Sequence, residues 1–460
     1  MNQFAMGISG ILLGTFSIGF ISICLFSKSI GSFSLSRLNM VSYIFYKDVF
    51  LFTFVGVALV ILNIDSVLDL YFWAITGHVS QESRYYGWLT TLYFLVAFPF
   101  GMILSNILFL QKYNNRQTFE TYVDKPTRTL FSEKDSIVFF VLLIMSIFAM
   151  LCVFYVYYYL ERIPLLAAIK GADAAALAGL RTDAKIGFKG VAAVKDILAV
   201  KLPPLLSYIV YCYAKSFGGV KYKMLFRLLF FVTFLSLTYN LEKAPFILYL
   251  VGFLIVRVVL GERLKVRVVF YWFCFLLLLL AILFVFVMGK GNSAEIIGAL
   301  AQRVLVAQTA GIFLVFEYFP VQNDFLGFSA VSNLFASLQG EEKLHYGRVL
   351  YEHYNYSVVE AGTAGYIVAN LVAESWALFG IAGVAILPVW AGFFICTLSN
   401  VILKLPKTPI FIGLYSYMAL NFSVTGGVSH FIYSLVLLSP VMFVLLIYFI
   451  SYFIYSRRFL

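Results

Sequence analysis

The chain reads as an all-α polytopic membrane protein, and three observations predict that class. Hydrophobic residues make up 62% of the 460 and charged residues only 12%, against roughly half and a quarter in soluble domains. Apolar runs of about 20 residues, the length that crosses a bilayer as a helix, recur along the whole chain. Basic residues crowd into alternate connectors, as the positive-inside bias requires.

The spans fall near 4–26, 48–72, 88–110, 137–160, 203–218, 224–241, 244–260, 268–289, 379–402, 409–425 and 431–456. About eleven crossings of one integral domain, 1–460, put the N-terminus outside and Arg457 and Arg458 inside. The first run has no basic residues before it and no small-residue cleavage site after it, so it reads as a retained span. The inner connectors then hold Arg37, Lys47, Lys125, Arg128, Arg257 and Lys407 among others. The net charge of +11 is therefore a topology signal and not a nucleic-acid footprint. The sixth and seventh spans meet almost without a linker at Leu241-Glu242-Lys243-Ala244-Pro245. Pro245 suits a first helical turn, where its missing N–H does no harm.

Two outer segments exceed ordinary connectors. The first, 161–202 (ERIPLLAAIKGADAAALAGLRTDAKIGFKGVAAVKDILAVKL), interleaves apolar residues with Lys at near-helical spacing, as an interfacial amphipathic helix does. The second, 290–378, holds the longest polar interval of the chain and leads into an almost continuous apolar stretch. A re-entrant or interfacial helix through Trp376, then one span from Phe379, keeps Lys404 and Lys407 inside. Glu374 in that helix must face protein or water, because a lipid-facing carboxylate is costly.

The chemistry-bearing residues are few. The five cysteines lie in or beside apolar runs without a CxxC pair and read as buried small hydrophobes. The four histidines are scattered, with no HExxH and no carboxylate cluster, so neither a metal nor a cofactor is expected. P-loop, GxGxxG and GxSxG patterns are missing too. What remains is a set of outer cations: Arg181, Lys185 and Lys189 from the first loop, Lys243 from the corner, Arg303 and Arg348 from the second loop. Fixed cations at a partly dehydrated surface suit a phosphate or pyrophosphate, Arg most of all with its planar fork. A single Lys such as Lys189 or Lys195 more often snorkels, or pairs with an acid. Lys243 weighs equally as half of a local pair with Glu242. General-base candidates are Glu317, Asp324, Glu352, His353, Glu360 and Glu374, with His345 and His78 weaker.

Four stretches carry a resemblance: IPLLAAIKGADAAALAGLRT, LEKAPFILYLVGFLI, RVLVAQTAGIFLVFEYFP and GTAGYIVANLVAESWALFGIAG. With the pattern of spans and loops, they resemble the Wzy-type O-antigen or exopolysaccharide repeat-unit polymerases. The resemblance implies a metal-independent integral glycosyltransferase of the GT-C type in a bacterial inner membrane. Such an enzyme moves a glycan from undecaprenyl pyrophosphate onto another lipid-linked repeat unit, in lipopolysaccharide, capsule or exopolysaccharide synthesis. It implies pyrophosphate contacts from Arg181, Lys243, Arg303 and Arg348, and catalytic roles among His353, Glu374 and Glu317. Membrane lipid, a flippase and a chain-length regulator are the implied partners. The chain departs from the pattern in having Lys243 where many relatives carry Arg. An O-antigen ligase using the same donor and a lipid-linked oligosaccharide flippase stay open as alternatives.

The sidedness is directly testable. A cysteine placed at Ser337 should react with an impermeant maleimide in spheroplasts, and one at Thr127 only after the membrane is opened. The reverse order would overturn the assignment of both long loops.

Overall fold

The structure, a computed structural model, describes residues 7–29, 33–64, 79–109, 115–131, 136–185, 187–288, 297–298, 300–356, 366–368, 370–432 and 435–457. Every regular element among them is helical. The helices are α1 (Ile8–Ser29), α2 (Met40–Ile61), α3 (Gln81–Leu108), α4 (Asn115–Asp124), α5 (Ser136–Tyr158), α6 (Pro164–Ile169) and α7 (Ala174–Lys185). They continue with α8 (Val194–Ser216), α9 (Val220–Thr238), α10 (Lys243–Val259), α11 (Val266–Met288), α12 (Ala310–Tyr318), α13 (Asn333–Gln339) and α14 (Tyr346–Tyr354). The long α15 (Leu371–Lys404), α16 (Pro409–Asn421) and α17 (Leu435–Arg457) close the chain.

Seven helical segments among the described residues are long and apolar enough to cross a membrane, which makes the chain a multi-pass membrane protein. They correspond to the expected spans 4–26, 48–72, 88–110, 137–160, 203–218, 379–402 and 431–456. The other four expected spans are also helical, α11 over 23 residues and the rest shorter or more charged. Thus α9 carries Lys221, Lys223 and Arg227, while α10 has 17 residues and α16 only 13. Two boundaries move. The second span begins at Met40, so Lys47 and Asp48 lie inside a helix rather than in a connector. The fifth begins at Val194. Lys195 is therefore buried, its ammonium on the Lys185 carbonyl at 2.7 Å and over the Phe188 ring, which corrects its reading as a surface lysine.

The core is a long pairing of α3 with α15. Both carry an internal proline, Pro99 and Pro388. A proline lacks its N–H and leaves a carbonyl one turn back without a helical partner. The Ser22 hydroxyl of α1 donates to the Leu95 carbonyl at 2.7 Å, four residues before Pro99. The Tyr93 hydroxyl donates to the Ala385 carbonyl at 2.8 Å, just before Pro388. At the crossing, Gly101 rests on the Val389 carbonyl and Gly392 on the Phe98 carbonyl, so close that a Cβ at either position would collide with backbone.

Helix α15 is two helical segments joined at Gly380, whose φ of 57° and ψ of −137° lie outside helical space. The expected break before Phe379 thus falls one residue after it. The amides of Leu326 and Gly327 donate to the carbonyls of Ala377 and Leu378, both at 3.0 Å, and satisfy the opened turn.

Connectors expected on one side meet each other. Arg37 lies 3.5 Å from Asp124, the Lys407 ammonium donates to the carbonyls of Val123 and Lys125, and the Leu264 amide donates to the Ser36 carbonyl. Across the molecule, Lys185 meets Glu242 and the Ser80 amide meets Glu317. The exception is the 422–428 segment, whose Val424 amide reaches Asp48 at 3.2 Å inside α2.

The α3–α15 crossing makes a stability prediction. Gly392→Leu forces the two backbones apart and should cost about 1–3 kcal/mol, as overpacking does, lowering the thermal midpoint in detergent. Gly179→Ala on α7, where a Cβ meets nothing within 4 Å, should not lower it, since alanine favours the helix. Equal midpoints for Gly392→Leu and wild type would contradict the close approach.

Candidate functional site

The corner between α9 and α10 is built by local capping. The Leu241 amide returns to the Thr238 carbonyl at 3.0 Å, Leu241 takes a positive φ of 56°, and the Asn240 side chain accepts the Glu242 amide. Lys243 then starts α10. Glu242 pairs not with its neighbour Lys243 but with Lys185 at the end of α7, 2.8 Å away. Arg181 stands one turn before Lys185, so both project from the same face of α7, towards the corner. Arg303 arrives from the π-helical turn Gln302–Val306.

These segments put the Arg181 and Arg303 guanidinium groups within electrostatic reach of Lys243. Burial, followed by the Arg181 and then the Arg303 guanidinium, pulls the Lys243 ammonium down to about 8. Like charges drawn from three distant segments of sequence repel one another, and an anion between them relieves that repulsion.

A second polar region lies between α15 and the irregular segment 422–428. Glu374 is 6% exposed, and its Oε2 accepts the Val428 amide at 2.5 Å. Gly427, at φ 88°, packs against that carboxylate so tightly that a Cβ would strike it. Gly426 packs equally close on the His430 ring, whose Nδ1 is buried without a hydrogen-bond partner among the described residues. Lys343 lies within electrostatic reach of Glu374, His345 and His430, and Lys201 of His430. Asp196 acts on both Lys201 and Tyr239, and Glu242 also acts on Tyr239. Ionisable groups therefore run from the corner to Glu374. Deeper still, Asp48 is fully buried, 3.1 Å from Lys47 and bonded to the Val424 amide.

The N-terminus of α15 is fastened above this region. Asn370 caps the Val372 amide and donates to Thr53 of α2 at 3.2 Å, and its own amide donates to the Tyr346 hydroxyl at 2.9 Å.

The other expected site residues have different employment. Arg348 pairs with Glu352 at 2.5 Å and lies over the Tyr366 ring, so its charge and that of Glu352 are matched within α14 rather than in the corner. Glu317 receives the Ser80 amide at 2.5 Å at the start of α3. Burial pushes its carboxyl up, but the bonds from Ser80 and Ser83 outweigh that and hold it below the usual range, making it a weak base. His353 is exposed, edge-on to Tyr318 and Tyr354. His345 caps α14 by accepting the Gly347 amide at 3.2 Å; burial, with Lys343 adding to it, pulls its imidazole down to about 4. Asp324 is exposed, and Lys189 pairs with Glu161. Glu360 and His78 lie outside the described residues. Among the described residues no three His, Cys, Asp or Glu side chains group as a metal site.

Sequence reading passed over Asp48, Lys201, Lys343 and His430. The polar, Gly-paired SVTGGVSH between two apolar runs was the available signal. The chain matches no family model, no curated protein and no solved structure.

The corner predicts a pH dependence. Below about 8 Lys243 is charged; as pH rises through that value the cluster loses one cation. Binding of inorganic pyrophosphate to the purified protein should weaken between pH 7 and 9, relative to Lys243→Arg, which stays charged. Parallel curves for the two proteins would remove Lys243 from the anion site.

Proposed function

We propose that the chain is an integral membrane glycosyltransferase that polymerises lipid-linked repeat units on the outer face of a bacterial inner membrane, crossing it about eleven times. The observation that carries this reading is the meeting of Arg181, Lys243 and Arg303 at one corner. On it, the donor is a glycan on undecaprenyl pyrophosphate, with the pyrophosphate held by these three cations and the isoprenyl chain in the bilayer. A hydroxyl of the acceptor's terminal sugar attacks the anomeric carbon of the donor as the bond from that carbon to the pyrophosphate oxygen breaks. The negative charge that grows on the leaving pyrophosphate is met by cations already in place.

The hydroxyl proton goes to a carboxylate, and Glu374 suits that role better than Glu317 or His353. One of its oxygens is oriented by the Val428 amide, and the other has no partner among the described residues. Glu317 is committed to Ser80, and His353 stands in the open.

One observation favours a different class. Buried Asp48 and Glu374 both accept amides from the broken backbone at 424–428, an arrangement that transporters use for coupled ions. A flippase of the same lipid-linked glycan is the second reading, and it makes no new glycosidic bond.

The test is repeat-unit polymerisation by purified protein in nanodiscs supplied with lipid-linked repeat units. Arg181→Ala and Arg303→Ala should each slow it about a hundredfold, about 3 kcal/mol of leaving-group stabilisation. Arg→Lys at either position should also impair it, since a point charge does not replace a bidentate fork. Lys170→Ala, an exposed lysine of the first loop, should leave the rate within a few-fold. Full activity in both Arg→Ala variants would refute the pyrophosphate clamp, and no polymer from the wild type would favour the flippase.

A further inference from the structure

Helix α7 has two working faces. Arg181 and Lys185, four residues apart, look towards the α9–α10 corner. Leu180, Asp183 and Ala184 line a neighbouring face, offset from the first by roughly a third of a turn. There they wall a cavity of about 320 Å³ together with the end of α5 and the 187–189 turn. That volume is at the lower end of the range for small-molecule pockets, roughly 300–1,000 Å³.

The lining mixes aromatic and charged groups in a definite way. Tyr159 and Phe188 supply rings at 6.3 Å between centroids, inclined at 65°, so that they form two walls rather than a stack. Glu161 and Lys189 neutralise each other as an ion pair at the rim. Arg162 and Asp183 also line the cavity, and neither has an ion-pair or hydrogen-bond partner among the described residues. With two cations and two carboxylates the cavity has no excess charge. It is thus unlike the α9–α10 corner, where cations gather.

We propose that this cavity is a saccharide subsite that holds a neutral pyranose residue of the glycan. The apolar C–H face of a pyranose packs on the Tyr159 and Phe188 rings. The Asp183 carboxylate, an acceptor at both oxygens, takes two neighbouring hydroxyls, and the Arg162 fork donates to hydroxyl oxygens. Balanced charge selects a neutral polyol over an anion. The placement gives the subsite its purpose: it opens on a face of α7 adjoining the one that carries Arg181 and Lys185. A glycan whose reducing end sits at the corner reaches round α7 into the cavity, which holds the chain in register while the reacting bond stays at the cations. This inference rests on the glycosyltransferase reading.

The test uses the full chain in nanodiscs and two probes. The first is the reducing oligosaccharide released by mild acid from the source cell's own lipid-linked repeat units, titrated by saturation-transfer NMR. The second is farnesyl pyrophosphate, which has the anion but no sugar. The oligosaccharide should bind the wild type, at least tenfold more weakly to Asp183→Asn and Tyr159→Leu, and within twofold of wild type to Tyr159→Phe, which keeps the ring. Farnesyl pyrophosphate should bind Asp183→Asn like the wild type and lose affinity in Arg181→Ala. Oligosaccharide binding that is missing in the wild type, or unaffected by Asp183→Asn and Tyr159→Leu, overturns the subsite, as does equal loss in Tyr159→Phe. If the oligosaccharide binds through Asp183 while farnesyl pyrophosphate does not bind at all, the subsite stands and the pyrophosphate clamp falls.

Discussion

Backbone amides and carbonyls that leave the helical ladder in apolar surroundings must find other partners, since lipid offers none. Four breaks among the described residues are met that way. Pro99 frees a carbonyl that Ser22 fills, and beside Pro388 the Ala385 carbonyl takes the Tyr93 hydroxyl. Gly380 opens a turn that the Leu326 and Gly327 amides close. At 424–428 the amides of Val424 and Val428 find Asp48 and Glu374. The first two repairs hold α1, α3 and α15 together, and the third ties α15 to the turn at Leu326 and Gly327. The last is different, because it uses charged side chains, and burying two carboxylates, one for each neutral amide, is an expensive way to mend a loop.

That expense connects the fold to its chemistry. The segment 422–428 exists because α16 stops at Asn421, too early to cross by itself. Consecutive glycines then let Glu374 and His430 press against its backbone. Lys343 and Lys201 lie within electrostatic reach of His430, and Asp196 continues the run towards the corner of Lys243. At that corner the charges are of the opposite sign: Arg181 and Arg303 act on Lys243, while Glu242 pairs with Lys185.

How much of this the sequence made legible follows from what each signal measures. Hydropathy integrates over about 20 residues, so it finds helices well and their irregularities poorly. It placed the break beside Phe379 within a residue of Gly380, because glycine and a carboxylate mark it. It ran through Asn421 without seeing α16 end, and it put Lys47 and Asp48 in a connector because charge alone was taken to end a span. Arg181 and Arg303 stood out as arginines in apolar helical stretches, but only the fold shows them acting on Lys243. Lys195 misled for the converse reason: an amphipathic pattern shows a lysine but not that a nearby carbonyl and an aromatic ring enclose it. Arg348 looked equivalent to the other arginines until its partner four residues on, Glu352, was seen to engage it.

The central claim is that Arg181, Lys243 and Arg303 form one pyrophosphate site. The most direct measurement is a cryo-EM structure of the protein in nanodiscs with an isoprenyl pyrophosphate bound. The account predicts phosphate density between these three side chains, with the isoprenyl chain running from there into the bilayer. Density at the opposite end, beside Arg37 and Lys407, or a pyrophosphate touching none of the three, would contradict it.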